Sequence, residues 1–334
     1  MLVSVVIPVY NGGEFLRGCL ESVEACPSPE IECIMVNDGS EDGTKGLCQE
    51  FSRKDTRFRL IDKENSGVSD SRNRGLAIAA GDYVFFLDAD DYMDATHWRE
   101  ILAHAAAGAF DMVEFGYCDL SVSGDVNEKA FPEGCDVARA LLTTTLLNTC
   151  WGKLLRREVI SGNGLKFREE LKTCEDAVFI LDFVQKAKSF TMQDCCAIYH
   201  RINPGGAMQR AKLENKLSDF GALFERRLLY LSENNDEQYR KAMYRQSFSV
   251  ITDLLRTHAG KQRLRDVRKD FAKAMKDPVV QTIMAGCTIR SLSPVYKKIE
   301  YMLMSGGFYA CMAAYFKAKW RLTPGNAGHT KDKP

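Results

Sequence analysis

The chain has 334 residues, a length that supports a sizeable core and about two domains, and its 45 basic and 45 acidic side chains cancel, so the total charge singles out no partner. The distribution is less even: residues 1–100 carry 10 basic and 19 acidic side chains, a net of −9, and residues 210–334 carry 24 and 12, a net of +12, which indicates two surfaces with different partners. The opening has no basic n-region or cleavage site, the twelve cysteines include no C-x-x-C pair, and the longest apolar stretch, 301–316, is broken by Ser305, Gly306 and Gly307. Export, a zinc site and a transmembrane helix are therefore not expected, and the cysteines read as reduced, buried thiols of a cytoplasmic protein.

Leu2 to Ile7 is apolar and β-branched and ends at Pro8, where a missing N–H is tolerated, so it reads as a first strand. After the turn Tyr10-Asn11-Gly12, the residues Phe15, Leu16, Cys19, Leu20 and Val23 mark one helical face, with Asn11 and Glu14 in a capping-box relation. Ile31 to Asn37 is a second buried strand stopped by Asp38-Gly39-Ser40; Thr44 is placed to cap the next helix, and Phe58 to Ile61 is a third short strand. Val68 to Ala80 reads as a helix closed by Gly81 in the left-handed conformation. Tyr83 to Leu87 is aromatic and β-branched and lacks any 3.6-residue period, so it is a buried parallel strand that delivers Asp88, Asp90 and Asp91 to its carboxyl end. This alternation predicts an α/β domain whose mostly parallel sheet is flanked by helices.

Beyond Asp91 the pattern loosens. A helix is expected near 95–107, a strand at 112–117, a polar loop to 133, a helix over 137–147, the short segment 151–155, a helix over 176–187, and strands around Phe190 and Ile198. From about Met208 only charged amphipathic helices follow, which sets a boundary between a domain at 1–208 and a mostly helical region at 209–334.

Four features fall after predicted strands or in the loops beyond them: Pro8 to Asn11, Asp38 to Ser40, Asp88 to Asp91, and the pair Glu175-Asp176. A D-G-S turn is usually only a turn, and a D-x-D is common on solvated surfaces. Ligands of open α/β sheets bind at the carboxyl edge, so the common placement is more informative than either motif. A carboxylate after strand two and a cluster after strand four can hold a nucleoside by its base and ribose. Hard-cation preference would put Mg²⁺ or Mn²⁺ on the cluster, bridging to a pyrophosphate.

The stretches V-S-V-V-I-P-V-Y-N from Val3, V-N-D-G-S from Val36, N-S-G-V-S-D-S-R-N-R-G-L from Asn65 and F-L-D-A-D-D from Phe86 together resemble glycosyltransferase family 2, which has the GT-A fold, and the resemblance covers residues 1–205. It implies a nucleotide-sugar donor, most often a UDP-sugar, a divalent metal (Mn²⁺ or Mg²⁺) and inversion at the anomeric carbon. By motif it sets Pro8, Tyr10 and Asp38 around the nucleobase, with Asn11 in the same donor-side turn and Arg72 beside the base or phosphates. Asp88 meets the ribose or the metal and Asp90 ligates the metal, while Asp91 is a supporting partner or the cap of the next helix. Glu175-Asp176 resembles the family's E-D motif, with Asp176 as the base and Glu175 as the alternative; the bland reading is acids favoured by a helix dipole. Trp151 and Lys153 line the acceptor side, unless Trp151 is simply core. His200 and Arg201, followed by Pro204 to Met208, resemble a segment that closes over the donor, reaching the pyrophosphate and hinging at Gly205 and Gly206.

The implied activity is inverting transfer from a UDP-sugar to a saccharide or lipid-linked acceptor, in bacterial surface-polysaccharide or lipid-linked oligosaccharide assembly. Two rivals stand beside it. A nucleotidyltransferase would want a basic Gly-rich phosphate loop where this chain has Y-N-G-G-E, and a silent binding module would predict loss of the acids. In the basic rear, Tyr296, Tyr301, Phe308, Tyr309, Tyr315, Phe316 and Trp320 interleave with Lys297, Lys298, Lys317, Lys319 and Arg321. That pattern suits a solvated helical face or a peripheral contact with the cytoplasmic face of the inner membrane. No nucleic-acid-reading motif is present.

Overall fold

The computed structural model describes residues 1–26, 31–120, 125–129, 136–145, 147–201, 211–234 and 237–323. They fall into two compact units, one made of Met1–Val137 and Leu146–Arg210, the other of Ala138–Thr145 and Ala211–Pro334. The first half of the chain runs β1 (Val3–Val9), α1 (Phe15–Glu24), β2 (Ile31–Asp38), α2 (Thr44–Lys54), β3 (Phe58–Lys63), α3 (Val68–Ile78), β4 (Tyr83–Phe86), β5 (Tyr92–Met93), α4 (Ala95–Gly108), β6 (Met112–Leu120) and β7 (Val126–Lys129). Then come α5 (Val137–Thr143), β8 (Lys153–Arg156), α6 (Arg157–Gly162), α7 (Glu175–Val184) and β9 (Phe190–Arg201).

In the first unit the described strands form one nine-stranded sheet in the order β3-β2-β1-β4-β8-β6-β9-β5, with β7 on the flank of β6. β1, β2, β3 and β4 pair in parallel, and so do β6 and β9. β8 runs against them between β4 and β6, and β7 and β5 are also reversed. The centre is built from the apolar runs read in the sequence: Val3, Val5, Val6, Ile34, Val84 and Phe85 are wholly buried. Because β1, β2, β4, β6 and β9 share one direction, their carboxyl ends bring Tyr10, Asp38, Asp88, Asp119 and Arg201 to one edge of the sheet. β4 stops pairing with β1 at Val6, before Pro8, so the proline sits where one flank of β1 is already open.

Several local expectations are corrected. α1 begins at Phe15 with no side-chain cap. Asn11 instead takes a positive φ of 49°, and its Oδ1 accepts from the Glu41 N–H, stapling the first turn to the second. Asp42, rather than Thr44, bonds the first N–H of α2, while the Thr44 hydroxyl accepts from the Gly12 N–H. Gly81 is not a left-handed cap, since α3 ends at Ile78 and Ala79 is extended. Glycine is required there by close approach: a Cβ would lie 2.6 Å from the Ser4 nitrogen. Asp94 caps α4, accepting from the Thr96 and His97 N–H groups, so Asp91 is not the cap. The two strand segments near Phe190 and Ile198 are one strand with an irregular register against β6. Described cysteines are free thiols and mostly buried, although Cys311 is exposed.

The second unit adds α8 (Leu213–Asn234), α9 (Arg240–Lys261), α10 (Leu264–Ala274), α11 (Pro278–Gly286), α12 (Val295–Ser305) and α13 (Tyr309–Arg321). Its core gathers Phe224, Phe248, Leu255, Phe271 and Phe316. Trp320 closes on Gly260, where a Cβ would come within 2.0 Å of the indole. Phe316, Trp320 and Lys297 are therefore interior, and the aromatic and basic interleaving is only partly a surface pattern. Among the described residues no helix is long and apolar enough to cross a membrane.

Candidate active site

α3 packs on β1 so closely that a Cβ at Gly75 would lie 2.3 Å from Val6 Cγ1. That contact fixes Arg72, one turn earlier, beneath the carboxyl edge with only 3% of its surface exposed. Its Nη2 donates to Asp88 Oδ1 at 3.0 Å, and its Nη1 donates to Glu175 Oε1 at 3.1 Å and to Asp176 Oδ1 at 2.5 Å. The guanidinium lies 5.2 Å from the Phe167 ring centroid. Phe167 in turn stacks on Phe179 at 4.0 Å and meets the Phe86 ring edge-on at 5.0 Å. Asn73, the next residue on α3, holds the Phe167 backbone at both its carbonyl (2.9 Å) and its N–H (2.8 Å). Packing and hydrogen bonds thus set the fork of Arg72 before any ligand arrives.

One cation faces three carboxylates, and the imbalance governs their proton affinities. Burial works against the charge of Arg72, yet Asp176 and the other acids outweigh it and hold the guanidinium protonated. Burial, then the neighbouring Asp176 carboxylate, push Glu175 up to about 7 despite Arg72. Asp176 is also raised, chiefly by burial, with Arg72 opposing and Asp88 adding to the shift. The Cys150 N–H, 3.4 Å from Asp176 Oδ2, favours the anion of Asp176. The two acids open α7 directly after Cys174, a non-glycine residue at φ 63°. A backbone in that region is costly and is kept only where its surroundings impose it.

The acid turn is divided as follows. Asp88 is partly exposed and spends one oxygen on Arg72. Asp91 is 1% exposed; its Oδ1 accepts from the Arg201 N–H at 2.8 Å, and its Oδ2 is buried without a hydrogen bond. Burial, with Asp88 and Asp90 nearby, raises the Asp91 carboxyl well above its ordinary value, and its bond from the Arg201 N–H makes it a support of the turn. Arg201 does not present itself wholly to a phosphate: its Nε donates to the Asp90 carbonyl at 3.1 Å, and its guanidinium lies over the Phe15 ring at 4.5 Å. His200 is likewise engaged, with Nδ1 2.9 Å from Asp119 Oδ1 on the neighbouring strand and its ring stacked on Trp151 at 5.1 Å. Lys153 is buried completely and paired with Glu114 at 3.0 Å, so it lines no acceptor surface; Trp151 is 6% exposed. Pro204 to Met208, with Gly205 and Gly206, lie outside the described residues.

Tyr10 is 51% exposed at the end of β1, and Pro8 is half-buried beside it. Asp38 is 4% exposed and heavily used: it is ion-paired with Lys63 and accepts the Ser66 N–H at 2.8 Å and the Gly67 N–H at 2.9 Å. It therefore shapes the loop that leads into α3, and only the lone pairs those bonds leave are open to a ligand. Lys63 was missing from the sequence reading. It also pairs with Asp70 at 2.9 Å, and its place at the end of β3, in register with Asp38, was the available sign.

Among the described residues no group of three or more His, Cys, Asp or Glu is arranged around a metal position. A Mg²⁺ or Mn²⁺ ion that takes phosphate and water oxygens needs only one or two carboxylates from the protein, and the partly exposed Asp88 and Asp90 are hard oxygen donors on one turn, so they fit that requirement.

Residues 4–161 match the family model described as glycosyl transferase family 2. EpsH of Bacillus subtilis (strain 168), provisionally named a glycosyltransferase, is 28% identical over 94% of this chain and 97% of its own length. The crystal structure of residues 1–349 of S. aureus TarS matches with a TM-score of 0.68 at 19% identity, over 96% of this chain and 91% of that one. The same protein has been solved with UDP-GlcNAc, with a TM-score of 0.65 at 18% identity over 96% and 92%. A mannosyltransferase from Pyrobaculum calidifontis, PcManGT, in complex with GDP-Man and Mn²⁺, matches with a TM-score of 0.53 at 14% identity over 96% and 88%. The fold is GT-A, and residues 4–161 form a segment of the glycosyl transferase family 2 type.

Proposed function

We propose that this glycosyltransferase moves a sugar from a UDP-sugar to a hydroxyl of a saccharide or lipid-linked acceptor, with inversion. The observation that carries the reading is the single buried guanidinium of Arg72, bonded at once to Asp88 after β4 and to Glu175 and Asp176 at the start of α7. It couples the donor-side acid to two acids suited to proton removal. The UDP-GlcNAc complex of TarS, which shares the fold, supports a uridine donor.

Two adjacent acids with different environments divide the work. Glu175, raised to about 7, is the acid that retains a proton more readily, and Asp176, whose rise by burial is opposed by Arg72 and the Cys150 N–H, accepts the proton of the acceptor hydroxyl. The acceptor oxygen bonds to the anomeric carbon from the face opposite the leaving group, and the bonding pair of the sugar–phosphate link leaves with UDP. Asp88 and Asp90 would hold a divalent cation, which when bound offsets charge on the departing diphosphate. Tyr10 offers its ring at the nucleobase end, and Asp38 keeps the loop after β3 in place. A UDP-release screen over UDP-, GDP- and dTDP-sugars with Mn²⁺, run beside Asp90→Ala and Asp176→Ala, tests these roles. Wild-type turnover in both variants would refute them; activity that survives chelation would remove the metal alone.

A peripheral membrane contact is a second element of the proposal, and it rests on α12. Val295, Ile299 and Met302 recur at helical spacing on one face and are 70%, 39% and 50% exposed, with Phe308 at 60% beyond them. An exposed apolar stripe beside Lys298 suits the interface of an anionic bilayer. Flotation of Val295→Ser/Ile299→Ser/Met302→Ser with anionic liposomes is the test, and binding equal to wild type would dismiss the contact.

A further inference from the structure

Lys153 and Glu114 stand opposite each other on β8 and β6, and both are buried, at 0% and 1% exposure. Such a pair is a poor source of stability, because each charge loses its water and a well-packed apolar pair does as well or better. Glu114 shows the cost: burial pushes its carboxyl up to about 7 against the pull of Lys153, and its Oε2 is buried without a hydrogen bond among the described residues. The other protons of the ammonium supply a reason for the pair. Lys153 Nζ lies 3.0 Å from Glu114 Oε1, 3.3 Å from the Trp151 carbonyl and 3.5 Å from the Thr149 hydroxyl, so its three N–H bonds have three acceptors. The last two flank Cys150.

Cys150 carries this hold to the active site. Its N–H is 3.4 Å from Asp176 Oδ2, and its wholly buried thiol makes a second hydrogen bond to the same carboxylate. Burial pushes that thiol well above its ordinary value, against Arg72, so it remains a donor. Residues 149–152 belong to no helix or strand, and both donors depend on the shape of this turn. The Thr149 hydroxyl donates to the Trp151 carbonyl at 3.3 Å, and Gly152, at φ 76°, accepts the Phe115 N–H at 3.0 Å. Lys153 closes the turn by binding the residues on both sides of Cys150. We propose that Lys153 is a positioning residue for sugar transfer, which through Thr149 and Trp151 fixes Cys150 against Asp176 and so aims that carboxylate at the acceptor hydroxyl. Glu114 is then the counter-ion that allows an ammonium behind the turn. The inference rests on the reading of Asp176 as the base.

The test compares the full chain with Glu114→Gln/Lys153→Met, in which neither partner is stranded, and with Asp176→Asn. Amide hydrogen exchange over residues 149–152 is expected to quicken by about tenfold or more in the double variant, the scale of one charge-assisted hydrogen bond. Steady-state UDP release, with the UDP-sugar that the wild-type chain turns over, should show kcat lower by about 10–100-fold at an unchanged KM for that donor, the range that misplacement by about 1 Å produces. Affinity for UDP, read by calorimetry, should stay at the wild-type value. A pair that serves stability alone predicts wild-type kcat in the folded double variant, and that result, with Asp176→Asn inactive, overturns the proposal. A loss of UDP affinity as large as the loss of kcat also overturns it, because the damage would then not be confined to the turn. Wild-type turnover by Asp176→Asn would remove Asp176 as the base, and this inference with it.

Discussion

Replacing Arg72 with glutamine keeps the approximate length of the side chain and removes the charge shared by Asp88, Glu175 and Asp176. Removing one partner of a buried ion pair costs about 3–5 kcal/mol, because the other is left uncompensated. For a unit of this size each kcal/mol shifts the melting temperature by about 2–4 °C, so a fall of about 6–20 °C is expected. The pH dependence separates this cause from lost packing on Phe167. Glu175 has its folded pKa raised from 4.5 to about 7, so the folded state binds that proton more tightly than the unfolded state. Its ionisation therefore costs stability as pH rises across that window. Without Arg72 the cost increases, and the gap between wild type and Arg72→Gln should be wide above about pH 8 and narrow near about pH 5. Circular-dichroism melts at both pH values, without nucleotide, provide the measurement. A gap that is constant, or larger in acid, would refute the electrostatic account.

The division of labour between Glu175 and Asp176 predicts that Asp176→Asn lowers kcat by about 10²–10⁴ with the KM for the donor little changed; a Glu175→Gln loss of equal size, read in the same steady-state assay, would argue against Asp176 as the base. Lys153→Met should cost about 3–5 kcal/mol, because it strands the fully buried Glu114, whereas Glu114→Gln/Lys153→Met should recover most of that loss in a urea titration. Gly75→Ala should lower both stability and activity, since a Cβ 2.3 Å from Val6 Cγ1 forces α3, and Arg72 with it, away from β1; chemical denaturation and turnover together check the pairing.

Where a side chain's fate was settled by its own segment, the sequence was readable. The runs at Val3, Ile31 and Tyr83 lack a helical period and became the buried parallel strands, and their directions put the acids at one edge. Partners remote in the chain were harder to see. Nothing near Arg72 announces that Glu175 and Asp176, about a hundred residues on, will share its guanidinium, nor that Lys153 will be spent on Glu114. Caps failed for a related reason: Asn11 and Thr44 had the right chemistry for helix starts, but each found a better partner in the adjoining turn. β5 was missed because two residues show no usable period, and β7 because its Val-Asn-Glu-Lys sequence is mostly polar and reads as part of the loop. The aromatic residues near the carboxyl terminus mixed core and surface, which composition alone could not separate.

The tie between Arg201 and the acid turn bears on how far this domain can be trimmed. The segment that matches the family model ends at residue 161, yet the carboxylates on Arg72 from α7 and the bonds that Arg201 gives, from its Nε to the Asp90 carbonyl and from its N–H to the Asp91 carboxyl, all come from beyond it. A fragment trimmed to the recognisable motif region would keep every aspartate of the acid turn while losing the parts that orient them. For anyone grafting, shuffling or minimising this domain, the indivisible piece extends to the last residue of β9.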